Sequence, residues 1–108
     1  MSMITEIVNM KTVDGVSKEG FIEIIDELEM NFHSKQPGYI DSEILYDEQK
    51  RLWIMIQHWS SMDTMKAASA NMFQDSATEK FRAAIDPKAV TISVFPTLRS
   101  WSIEPVND

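Results

Sequence analysis

The chain contains no cysteine, which removes disulfides, thiol nucleophiles and thiolate metal ligands together. Its three glycines are too few and too scattered for a phosphate-cradling loop. Histidine is nearly absent as well: His33 is expected near the end of a surface helix and His58 on an inner strand, so the pair lacks metal-ligand spacing. No metal or other cofactor is expected. Basic residues are the minority, 10 against 17 acidic, for a formal charge of −7. They are dispersed, so a nucleic-acid backbone would be repelled. No apolar run is long enough to cross a bilayer, and the opening MSMITEIV lacks the basic start and apolar middle of a signal peptide. The expectation is a cytoplasmic protein without nucleic-acid or membrane partners.

What is present suffices for one domain. At 108 residues and 44% hydrophobic content the chain can bury a true core, with little surface left for a second site. Residues 3–13 alternate imperfectly and read as a first strand. Asp14-Gly15 is turn chemistry and Ser17 can cap a helix carrying Phe21, Ile24, Ile25, Leu28 and Phe32 on one stripe. Pro37-Gly38 ends that helix. Tyr39–Tyr46 and Arg51–Trp59 read as neighbouring strands joined by the polar hairpin Asp47-Glu48-Gln49-Lys50. Asp41, Glu43, Asp47 and Glu48 are most simply a solvated edge.

The third strand is apolar on both parities and needs cover on both sides. Ser60 and Ser61 then offer caps, with Asp63 in capping-box position to Ser60, for a helix with Met62, Met65, Ala68/Ser69 and Met72 as a stripe. A break near residues 74–77 separates a short helix over 78–85. The last strand, 89–101, contains Pro96 and is therefore an edge or carries a bulge. Residues 102–108 form a polar tail. The order β-α-β-β-α-β predicts a ferredoxin-like α+β fold with an antiparallel sheet. One layer of helices hides one sheet face only, so a homodimer packed through the open face is expected.

The motifs HWSSMDTMKAAS, MFQDSATEKFRAAID and VTISVF, with Trp59 closing strand three, resemble the dimeric α/β-barrel superfamily, in particular antibiotic biosynthesis monooxygenase-like domains. The resemblance spans nearly the whole chain. It implies two sheets closing a barrel across a dimer, with a pocket between sheet and helices in each subunit. It also implies oxidation of quinols or polyketide phenols by O₂ without metal or flavin. Related enzymes often carry a histidine at the position of Ala68 and another near Met72, and this chain has neither. The haem-degrading branch uses an asparagine on strand one, which Asn9 would match, but its helix-two tryptophan and iron-binding histidine have no counterpart in MKAASANMFQD.

Any pocket should be walled by the stretch Trp53–Phe73, where the strand pattern turns into a helical one. His58 has the pKa to take a phenolic proton, and Asn9 an amide that can orient a ligand oxygen, so these two are the catalytic candidates. Neighbours on a strand point oppositely, so at most one of His58 and Trp59 lines a cavity. Asn9 otherwise bonds to a turn or caps a strand irregularity. Trp59, Trp53, Met55, Met65, Ser69, Met72 and Phe73 are the candidate substrate-binding residues, and core packing explains the tryptophans and methionines equally well. The function expected is a cofactor-independent monooxygenase-like protein acting on a small aromatic. The alternative is a non-catalytic dimeric small-molecule binding or sensory protein of the same fold.

Overall fold

The computed structural model describes residues 3–103. Its main elements are β1 (Ile4–Met10), α1 (Lys18–Asn31), β2 (Tyr39–Asp47), β3 (Leu52–Trp59), α2 (Met62–Met72), α3 (Glu79–Ala84) and β4 (Thr91–Pro96). Short 3-10 turns occupy His33–Lys35, Ser76–Thr78 and Pro87–Ala89. The strands make one antiparallel sheet in the order β2-β3-β1-β4, the ferredoxin-like arrangement that the element order predicts.

Local chemistry sets the boundaries. The Ser17 hydroxyl accepts the Gly20 N–H at 3.0 Å and starts α1, a cap worth about 1 kcal/mol. Ser61, not Ser60, starts α2, its Oγ accepting from the Thr64 N–H at 3.2 Å; in place of the expected Ser60/Asp63 capping box, Thr64 Oγ1 donates to the Ser61 carbonyl at 3.0 Å. The first strand stops at Met10 because the following backbone is used elsewhere. The Val13 N–H donates to the Ala84 carbonyl and the Asp86 N–H to that of Lys11, each at 2.9 Å, tying this segment to the end of α3. The last strand is shorter than residues 89–101 at both ends. Asp86 caps the Pro87–Ala89 turn through the Lys88 N–H at 3.0 Å, and β4 ends at Pro96, which has no N–H to donate. β4 is an edge strand, the setting proline tolerates. Ser102 and Ile103 are exposed and outside any element; the rest of the expected polar tail, 104–108, lies outside the described residues.

Side-chain alternation divides the sheet. Along β3, Trp53, Met55, Gln57 and Trp59 are buried beneath the helices while Leu52, Ile54, Ile56 and His58 take the other side. β1 contributes Met10, Val8, Glu6 and Ile4 opposite the buried row. Under α1 and α3 a large core gathers Met10, Phe21, Leu28, Phe32, Trp53 and Phe81, with the Phe21 and Trp53 rings 4.8 Å apart. Under α2 a smaller one holds Ile4, Trp59, Met65 and Ala68. On the opposite face no helix covers Ile7, Ile54 and Ile56, which stay half-buried, and Leu45 and Phe95 are exposed there.

One expectation is reversed. His33 is not on the surface but 4% exposed, because α1 ends at Asn31 and the 3-10 turn that follows winds the chain more tightly, carrying the imidazole over the sheet. The next turn is pinned in place. Gly38 has φ +82°, and a Cβ there would lie 2.3–2.7 Å from the Thr64 side chain, while its carbonyl accepts the Ser60 N–H at 2.8 Å. Gly38→Ala is therefore expected to lower the unfolding free energy by about 2 kcal/mol, seen as a lower denaturant midpoint at unchanged slope. An unshifted midpoint would show that this approach is not tight.

Candidate functional site

The two core clusters do not merge, and between them lies a cavity of about 160 Å³ bounded by the sheet, α2 and α3. Strand alternation supplies its floor: Val8 and Met10 from β1, Met55, Gln57 and Trp59 from β3, Val90 and Ile92 before and within β4. The helical turns of α2 supply one wall, Ala68, Ser69 and Met72, with Phe73 just past its end. Phe81, Arg82 and Ile85 close the side toward α3. Ile92 and Phe73, the latter 75% exposed, mark the opening.

Polar groups gather at one end. Glu6 is buried in the apolar row of β1 and accepts a hydrogen bond from the Trp59 indole N–H at 3.1 Å. Burial raises its pKa above the ordinary carboxylate value, outweighing the opposing effects of the indole bond and of His33. Beside it His33 pairs through Nδ1 with Glu29, one helical turn back on α1. The Gln57 side-chain nitrogen lies 3.2 Å from His33 Nδ1 and 3.3 Å from Nε2. It also sits 3.4 Å from both Glu29 Oε1 and Ser42 Oγ. Aromatic rings complete the box: Tyr39 stacks on His33 with centroids 5.9 Å apart, and Trp59 meets it edge-on at 6.0 Å. Arg82 stands at the far end, beside Phe81 and Ile85, whose neighbour across a β-bridge is Thr12. The four-residue step from Glu6 to Met10 puts the two ends about 13 Å apart. Its Nε donates to Thr78 Oγ1 at 2.9 Å, and among the described residues it pairs with no carboxylate.

The expected site residues separate into two groups. Trp59, Met55, Ser69, Met72 and Phe73 come together on the cavity. Trp53 and Met65 are buried behind it, Trp53 against Phe21 and Tyr46, Met65 in the cluster with Trp59 and Ile4. His58 and Asn9 do not line the cavity. Both have the wrong parity: His58 pairs with Thr5 and bonds through Nδ1 to Asp41 Oδ1 at 2.6 Å on the open sheet face, and Asn9 lies opposite Ile54 on that same face. Glu6, Gln57 and the Glu29/His33 pair went unnoticed in the sequence. Each had a signal: Glu6 interrupts the row Ile4, Val8, Met10, and Gln57 interrupts Trp53, Met55, Trp59. Glu29 and His33 follow buried Ile25 at successive intervals of four.

The ferredoxin-like sheet with a helix-covered cavity defines the class, an α+β domain of βαββαβ order. A family profile, antibiotic biosynthesis monooxygenase, matches residues 3–86, and the chain belongs to that family. Solved structures agree in fold. SnoaB of Streptomyces nogalater, described as a cofactor-independent oxygenase, superposes with TM-score 0.73 at 16% identity over 93% of this chain and 97% of its own. Rv0793 of Mycobacterium tuberculosis gives 0.68 at 10% identity over 94% and 100%. PA3566 of Pseudomonas aeruginosa gives 0.64 at 14% over 92% and 97%. No curated protein sequence matches the chain. Among the described residues no helix is long and apolar enough to cross a membrane, and no three His, Asp or Glu side chains are grouped to hold a metal ion.

The raised pKa of Glu6 has a consequence for stability. The folded state holds this proton more tightly than the unfolded chain, so the contribution is full below the unfolded carboxylate pKa and is lost as pH rises through the folded value. Glu6→Gln keeps an acceptor for the indole and removes the charge. Its stability relative to wild type is expected to rise as pH is raised through and above the ordinary carboxylate range. Parallel urea titrations across that range check it; a difference flat with pH would show that Glu6 ionises freely.

Proposed function

We propose that the protein is a cofactor-independent monooxygenase-like enzyme that binds a small quinol- or phenol-type aromatic in the cavity between sheet and helices. The observation that carries this reading is the cavity itself, an apolar slot with Glu6, Gln57 and His33 collected at one end and Arg82 at the other. A flat ring fits between the methionines and the Trp59 indole, and Glu6, Gln57 and His33 are placed to orient its oxygen. A volume of about 160 Å³ suits a single ring, since an engineered cavity of about 150 Å³ holds benzene. With no external reductant the atoms balance as quinol plus O₂ giving hydroxyquinone plus water, all four electrons coming from the substrate. The family and the likeness to SnoaB in fold support this class of chemistry.

The working unit is a homodimer built on the open sheet face. Ile7, Ile54 and Ile56 there, with exposed Leu45 and Phe95, would otherwise face water. Beyond β4, Leu98 and Trp101 are 93% and 82% exposed and extend the apolar surface available to a second copy. A rival reading, binding without turnover, draws on Ala68 and Met72: both line the cavity, where a methyl and a thioether take positions that related enzymes often give to histidine.

Two measurements decide. With a panel of single-ring quinols and phenols under air, wild type is expected to show saturable tryptophan quenching together with oxygen uptake, and Ala68→Phe, which fills the slot, to weaken binding at least tenfold. Quenching without uptake would favour the rival, and no quenching would remove both. Light scattering at micromolar concentration is expected to give twice the 12.4 kDa chain mass, and Ile56→Asp to halve it. Single chains in the wild type would overturn the dimer.

A further inference from the structure

The geometry points to His33, held by Glu29, as the proton acceptor of this cavity for the hydroxyl of a phenol or quinol. This rests on the reading of the cavity as an aromatic site. Glu29 takes the Nδ1 side of the ring, and a carboxylate can only accept, so Nδ1 carries the hydrogen and Nε2 keeps a lone pair. Gln57 does not occupy that lone pair. Its nitrogen is almost equidistant from the two ring nitrogens, at 3.2 and 3.3 Å. A point so placed in the ring plane would collide with the carbon between them, so the amide lies over the ring face, and its two N–H groups are turned to Glu29 Oε1 and Ser42 Oγ. The imidazole is thereby clamped from one edge and one face, with Tyr39 stacked on the ring and Trp59 at its edge.

Proton transfer is then a single exchange. The substrate O–H bond breaks, an Nε2–H bond forms, and the phenolate faces an imidazolium whose positive charge is offset by Glu29 and by the carboxyl end of α1. Glu29 remains 21% exposed at its side chain while His33 is 5% exposed, so the carboxylate meets solvent and the ring meets the ligand. Every titratable group packed on His33 fits this assignment. From β1, Glu6 has its pKa raised by burial. From β2, burial chiefly, with Glu29 and Asp41 adding, raises the pKa of the Tyr39 phenol. From α1 there is Glu29, and β3 presents the neutral Gln57. Glu29 acts through His33 and is a positioning residue.

The test uses 4-nitrophenol, whose phenolate has its own absorption band, bound to the intact protein below the pH at which the free compound ionises. In wild type the bound ligand is expected to show the phenolate band, while ¹⁵N spectra show Nε2 of His33 becoming protonated as ligand is added. His33→Gln should retain binding within about threefold by tryptophan quenching and lose the band, and Glu29→Gln should move the appearance of the band to higher pH, because the ring loses the carboxylate that offsets its charge. His58→Gln, on the opposite sheet face, should leave the band as in wild type. The NMR titration needs no variant, so a misfolded His33→Gln would not blunt the test. Binding as the neutral phenol, or a band that survives His33→Gln, would overturn the assignment while leaving the aromatic cavity intact. No binding at all would overturn both. A phenolate band without oxygen uptake from any quinol supports the proton acceptor and counts against oxygenase turnover only.

Discussion

The two-residue repeat of β3 is the constraint from which the rest follows. This strand lies between β2 and β1, and its register decides which of two very different rows enters the interior: Trp53, Met55, Gln57, Trp59 or Leu52, Ile54, Ile56, His58. A slip of one residue would exchange an indole-and-amide floor for an aliphatic one and bring His58 inside. What prevents it is the bulk of two tryptophans, one locked against Phe21 and Tyr46, the other bonded to Glu6. Their burial is worth several kcal/mol in apolar area alone, more than enough to fix the pairing.

The same parity explains which parts of the architecture could be read in the sequence. Order of elements, helix stripes and turn residues are local properties, and the βαββαβ arrangement followed from them. The row Trp53, Met55, Trp59 was visible for the same reason. Strands end short of their sequence periodicity where the backbone bonds to a distant element, as Val13 does to Ala84. Nothing near residue 13 announces that.

The polar end of the cavity was harder to see because it is assembled from four elements. Glu6, Glu29, His33 and Gln57 each look like a solvated side chain in its own segment, and only the fold puts them within reach of one another. In the sequence it is His58 and Asn9 that stand out against apolar neighbours. The apolar neighbours proved to be on the open face of the sheet. A histidine two intervals of four beyond a buried isoleucine was the better sign, and it needed the helix to end where it does, so that a tighter turn could bring the ring inward.

The walls of the slot differ in stiffness. Its polar end is braced by hydrogen bonds and stacked rings, whereas the middle is faced by Met55 and Met72, whose unbranched thioethers are more pliable than branched or aromatic side chains. If the cavity takes an aromatic ligand as proposed, discrimination would reside in the hydroxyl that enters the braced corner. The remainder of the molecule, such as an extra methyl, meets a yielding surface, and a family of related compounds would be admitted with similar ease.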